Sequence, residues 1–174
     1  MKSTGKVTGI VSNLVTVLTD GPVSQNELCF ISCGGTKLMA EGIKVNGKSA
    51  AVQVFESTRG LKNGDEVEFE DRMLEATLGP GLLSSSYDGL QNDLTSMTGV
   101  FLKRGEYTDP LDHEKLWDFT PIAKAGDTVI AADWLGEVKE GWLPHKIMVP
   151  FSFKGEYTVK SVVEAGQYNI DKVI

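Results

Sequence analysis

Asn46–Gly47 lies between two alternating, β-branched runs, Leu38–Val45 and Ser49–Phe55, a setting in which the chain turns back on itself as a β-hairpin. The same grammar recurs from the start of the chain to Thr77. Gly5–Val11 and Leu14–Leu18 are β-branched runs closed by Asp20–Gly21–Pro22, and Leu28–Cys33 runs into Gly34–Gly35. Gly60–Asp65 is a further turn, feeding Glu66–Phe69 and then Met73–Thr77. Glycine supplies the punctuation, at 19 of 174 residues or about 11% against a usual ~7%, with only 6 prolines beside it. Short strands at this spacing are expected to close into a small barrel, because closure removes the exposed edges of the sheet.

The period changes after Gly79–Pro80–Gly81. Leu83, Tyr87, Leu90, Leu94 and Met97 recur at helical spacing, which predicts a short helix weakened by Gly89 inside it. From about Phe101 the pattern returns to turn and strand, with Trp117, Trp134 and Trp142 as large apolar anchors. The expected strands are Thr128–Ala131, Gly136–Val138, Lys146–Val149, Tyr157–Val163 and Tyr168–Ile174, with turns at Gly126–Asp127, Gly141 and Gly155. Phe101–Thr108 echoes Phe151–Thr158, but the flanks do not follow, so the echo is shared turn chemistry and not a repeat. The fold class is therefore mainly β, with a small closed β-barrel over 1–75, a connecting segment with one short helix over 76–105, and a second β-rich domain over 106–174.

Charge and cysteine usage exclude several function classes. Seventeen basic residues against 24 acidic ones leave a net charge of −7, the wrong sign for a protein that holds phosphate backbones. No stretch approaches the ~20 apolar residues that span a bilayer, and Met1–Lys6 has no apolar region behind it, so a cytoplasmic location is expected. Cys29 and Cys33 share one face of a strand at roughly 13 Å, beyond the ~7 Å reach of a disulfide. His113 and His145 are isolated from them and from each other, so no metal site is assigned.

One motif invites an enzymatic reading. Gly42–Ser49 fits G-x-x-x-x-G-K-[ST] letter for letter, and Val129–Asp133 has the look of an apolar strand ending in a magnesium-holding acid. A phosphate loop needs a strand before it and a helix after it, so that helix-terminal amides point at the phosphates. Here Ser49–Phe55 alternates as a strand does, and Lys48 is expected to be a solvated hairpin residue. Gly126–Val129 with Gly136–Val138 resembles the flattened barrels that carry biotin or lipoate. The lysine of Asp171–Lys172–Val173, however, lacks the return strand that a carrier hairpin requires. No G-x-S-x-G elbow or H-E-x-x-H pair occurs. No catalytic, cofactor-binding or metal residue is assigned in this chain.

The strongest words are Val54–Gly64, VFESTRGLKNG, and Leu78–Gln91, LGPGLLSSSYDGLQ. With Phe101–Gly105, Leu111–Phe119, Gly136–Val138, His145–Pro150 and Gly166–Ile170, in that order, the chain resembles the start of the catalytic A-type subunit of V-type and archaeal-type rotary ATPases. The resemblance implies a barrel that joins B-type subunits with further A-type copies in a hexameric crown. It implies a bulge domain from Leu111 onward, linked to stator contact and to the coupling of hydrolysis with ion transport. It also places the family's phosphate loop, catalytic glutamate and arginine-bearing domains beyond Ile174, and a strand-like, uncapped ending suits an N-terminal piece. ATP and Mg²⁺ then belong to the complete subunit, which is peripheral to the membrane, and this chain alone is no enzyme.

Two departures stand out. Asn92–Asp93 replaces an Arg-Pro pair that the family usually carries, and Ala132–Asp133 replaces a frequent Gly-Asp. The competing expectation is a stand-alone two-module β interaction protein, acting by surface contact alone.

Overall fold

Period-two alternation decides the first half of the molecule. The computed structural model describes residues 2–95 and 103–174. Strands β1 (Thr4–Val11), β2 (Leu14–Thr19), β3 (Glu27–Cys33), β4 (Thr36–Asn46), β5 (Ser49–Val54) and β6 (Glu66–Met73) form a closed barrel in the order β1-β2-β5-β4-β3-β6. Closure comes where Thr4, Gly5 and Lys6 pair with Glu68, Val67 and Glu66. Along β2, Val15, Val17 and Thr19 point inward while Leu14, Thr16 and Leu18 point out. Val17, Cys29, Ile31, Leu38, Val52, Val67 and Phe69 meet in the interior, all fully buried. Each large aliphatic or aromatic side chain so buried contributes about 1.5–3 kcal/mol.

Cys33 and Thr36 pair across a two-residue turn in which Gly34 and Gly35 both have positive φ, at 58° and 86°, the geometry that matches the twist of a hairpin. Both cysteines are free and buried. Desolvation, helped by the charge of Glu27, pushes the Cys29 thiol up to about 12, so it stays an inert core residue at neutral pH. Residues 103–107 return to the barrel's unit. Arg104 donates to the Arg59 carbonyl at 2.6 Å, the Gly105 amide donates to Glu56 at 2.8 Å, and the Tyr107 hydroxyl accepts the Met39 amide at 2.8 Å.

Residues 77–95 and 108–174 form a second unit. Its strands are β7 (Trp117–Pro121), β8 (Thr128–Val129), β9 (Trp134–Glu140), β10 (Leu143–Met148), β11 (Tyr157–Thr158) and β12 (Gly166–Tyr168). Four of them make a sheet in the order β10-β9-β7-β12, and β8 pairs with β11. Trp117, Phe119 and Val138 form its core, with Ile147, Val163, Tyr168 and Ile170 packed against them.

Several expectations are corrected here. No helix forms between 83 and 95; the part of that stripe at Met97 lies outside the described residues. Ser84 and Gln91 adopt positive φ, and Asp88 takes the amides of Leu90 and Asn92 at 2.9 and 2.8 Å. A short polar side chain thus supplies what a helical carbonyl would have supplied, and the helix loses the competition. Residues 74–77 are exposed and extend no strand, since β6 ends at Met73. Strands expected over 157–163 and 168–174 shrink to β11 and β12. Strand β7 was absent from the expected set, because its alternation lasts only five residues and ends in a proline. Of the three tryptophans only Trp117 anchors a core, at 7% exposure; Trp134 and Trp142 are 54% and 86% exposed.

Ala132 holds a left-handed φ of 72°, which an L side chain resists by roughly 1–2 kcal/mol. Ala132→Gly should relieve that strain. Allowing for glycine's greater unfolded-state entropy, the variant should gain about 0.5–1 kcal/mol in urea unfolding.

Candidate functional site

The motif resembling a phosphate loop is split between sheet and turn. Gly42–Asn46 belongs to β4, Gly47–Lys48 makes the turn, and Ser49 opens β5, with Asn46 and Ser49 paired across it. Asn46 is therefore the last strand residue and not a central turn residue, and Gly47, at φ 62°, occupies the first turn position. The Gly42 carbonyl accepts the Asn26 amide at 2.7 Å, as a barrel-wall residue does. No helix follows, so no fan of amides faces a phosphate and the residues do not fit ATP. Asp133, the imagined magnesium ligand, belongs to the other unit and accepts the Ile130 amide at 2.8 Å in its own turn.

Leu78–Gln91 is held by carboxylates. Glu140, at the end of β9, is only 7% exposed and accepts the amides of Gly81 and Leu83 at 2.7 and 3.1 Å and His145 Nδ1 at 2.7 Å. Burial opposes its ionisation, but the Gly81 amide, the His145 ring and the Leu83 amide outweigh burial and hold the carboxyl below the ordinary range. Asn92 is buried beside Asp88, donating to it at 2.9 Å and accepting the Thr108 amide at 2.9 Å. Tyr87 donates to the Pro110 carbonyl at 3.1 Å. These groups brace a loop. They present no nucleophile beside a base, and sequence spacing could not have found Glu140, which lies 59 residues from Gly81.

Both units expose apolar side chains. On the barrel, Leu14 and Leu18 project outward from β2 at 46% and 52% exposure, Val11 pairs with Leu14 across the β1–β2 hairpin, and Ile43 is exposed on β4. In the second unit Trp142 sits at the tip of the β9–β10 hairpin beside Gly141. A carrier hairpin would offer a lysine there; Lys172 instead leans over the Tyr168 ring at 5.9 Å. A shallow groove of about 490 Å³ is lined by Ile122, Val129, Trp134, Asp127 and Asp133. Its Asp127 accepts the Lys124 amide at 2.7 Å, and Asp133 is bonded as described above, so both acids serve their own turns. Among the described residues no group of three His, Cys, Asp or Glu side chains could hold a metal ion. No helix among them is long and apolar enough to cross a membrane.

Comparison with known proteins follows the same division. Residues 7–71 match the family described as ATP synthase alpha/beta family, beta-barrel domain, and residues 108–174 match the barrel-sandwich domain of the ATPsynthase alpha/beta subunit. The V-type ATP synthase alpha chains of Borrelia turicatae and Borrelia hermsii are each 48% identical over 177 aligned residues, and that of Borrelia garinii is 49% identical. Each alignment covers 100% of this chain and 31% of the relative.

Calorimetry with Mg-ATP at millimolar concentration should give no binding heat, and Lys48→Ala should leave the trace unchanged. Glu140→Gln should cost the second unit roughly 1–3 kcal/mol at neutral pH. Because the Glu140 carboxyl is depressed in the fold, its contribution is present above the ordinary value of 4.5 and is lost as pH falls through the folded value. The gap between wild type and variant in urea midpoints should therefore close in acid.

Proposed function

The chain belongs to the V-type ATP synthase alpha-chain family, matching its N-terminal region, and from that premise we propose that it is the non-catalytic part of an ATP-driven or ATP-making ion-translocating subunit. The barrel serves hexamer assembly, with B-type subunits and with further A-type copies of its own kind. The second unit serves stator contact and coupling. ATP and Mg²⁺ bind in the complete subunit, whose hydrolysis or synthesis is tied to movement of H⁺ or Na⁺. The relatives are about three times longer than the aligned stretch, at 31% coverage, which leaves room for a nucleotide domain outside these residues.

One observation carries the reading: both matched domains occur in one chain, while the sole phosphate-loop motif is a strand and hairpin of the barrel wall. A closed barrel offers no strand edge, so association must use outward side chains. The apolar outer positions Leu14 and Leu18 supply them, because surface aliphatics on a closed barrel contribute nothing to its core. Trp142, held out at a hairpin tip, is the residue type that most often dominates an interface.

The test is co-expression with the B-type and stator subunits, followed by size-exclusion and pull-down at low salt. Leu14→Glu with Leu18→Glu should abolish co-elution with the B-type subunit while the barrel stays folded by circular dichroism. Trp142→Ala should weaken stator capture at least ~30-fold, the scale of a 2 kcal/mol hot spot, and leave capture of the B-type subunit intact. Co-elution unaffected by either change would remove the assignment.

A further inference from the structure

We propose that His113 is the pin of a proton-operated latch that fastens residues 169–172 to the 109–113 turn and so clamps edge strand β12 to β7. The inference is independent of which partners the chain meets. Strand β12 is attached by three rungs, Gly166 to Phe119, Gln167 to Asp118 and Tyr168 to Trp117, with the Gln167 side-chain amide donating to Asp118 at 2.9 Å and the Tyr168 ring edge-on to Phe119. Following the antiparallel register outward past Trp117 and Tyr168 leads to the neighbourhood of His113 and Asp171. The side chains there continue the attachment after the backbone ladder has stopped.

His113 Nδ1 lies 2.9 and 3.0 Å from the two Asp171 oxygens, and Nε2 lies 2.9 Å from Asp109 Oδ2. A neutral imidazole carries one N–H, so it can donate to only one of these carboxylates and must turn a lone pair toward the other. Only the imidazolium satisfies both sides. The other charges on the flanking elements are Lys115, 4.2 Å over the Trp117 ring, Lys172 over the Tyr168 ring, Asp112, whose Oδ1 accepts the amides of Glu114 and Lys115, the exposed Glu114 carboxylate, and Asp118, which accepts the Gln167 side-chain amide at 2.9 Å. None of them takes the place of a carboxylate at either ring nitrogen. The hydrogen bonds to Asp171 and then to Asp109 raise the His113 midpoint against an opposing desolvation. The Leu111 amide first, and the His113 ring after burial's opposing effect, lower that of Asp109. With the histidine raised, the latch is fully closed below the ordinary histidine value of 6.5 and opens as pH climbs through the higher folded midpoint. Above it, β12 keeps its three rungs and the apolar contacts of Ile170 and Ile174.

Proton NMR of the 174-residue chain at low ionic strength reads the latch through the ring resonances of its two histidines, assigned with His113→Gln. Amide exchange of residues 166–168 is followed alongside, as protection relative to intrinsic rates and with barrel amides as the internal reference. The His113 midpoint should lie above 6.5 and should fall in both Asp171→Asn and Asp109→Asn. Protection over 166–168 should drop about tenfold for each unit by which that midpoint is raised, and should lose its pH dependence in His113→Gln. If His113→Gln fails to fold, Asp171→Asn carries the same comparison. A His113 midpoint at or below 6.5, or protection profiles that superimpose in wild type and variants, would overturn the proposal.

Discussion

A row of short strands has two raw edges unless the first strand meets the last, and the pairing of Thr4–Lys6 with Glu66–Glu68 removes both. Everything else in the barrel depends on that closure. Once every strand has a neighbour on each side, inward positions are committed to Val, Ile, Leu and Phe, and two cysteines can be stored there as small apolar groups. Outward positions are then free of any duty to the core. The wall can carry Lys37 against Glu68 in one place and bare leucines in another. The exposed ion pair contributes little to stability, and the leucines lie outside the barrel's core.

The second unit is held together differently. Its core is small, centred on Trp117, Phe119 and Val138, and its long irregular segment is secured by polar groups. Glu140 gathers the loop at Gly81 and Leu83, while Asp88 and Asn92 gather the stretch that reaches Thr108. A buried carboxylate that accepts three hydrogen bonds costs little to keep ionised, but removing it strands two amides. Asn92–Asp93, a departure from the family's usual pair, is accommodated by this bracing, since Asn92 bonds Asp88 on one side and Thr108 on the other. The left-handed Ala132 shows a second departure absorbed at a local cost.

Gly42–Ser49 satisfies the phosphate-loop pattern, yet the pattern encodes chemistry only when a helix presents its free amides behind the glycines. In this chain the next element is a strand, and its residues are those of a hairpin. The same caution applies to the stripe from Leu83 to Leu94. Its spacing is helical, but Asp88 offers the Leu90 and Asn92 amides a competing acceptor.

The barrel was legible in the residues because each strand writes its two faces in period two and its turns are marked by glycine, as at Gly34–Gly35; Asn46–Gly47 marked its hairpin too, but the turn itself is Gly47–Lys48, one residue further on. So was the failure of Cys29 and Cys33 to bond to each other, which follows from strand rise alone. The family was legible from words such as VFESTRGLKNG. What tertiary structure decided is whatever depends on residues far apart in sequence: Glu140 reaching Gly81, Asp171 reaching His113, and the exposure of Trp134 and Trp142 beside a buried Trp117. Local preference acts over a few residues and can be read in order. A carboxylate's partner is settled by which segments the closed sheets bring within 3 Å of it, and no spacing rule encodes that.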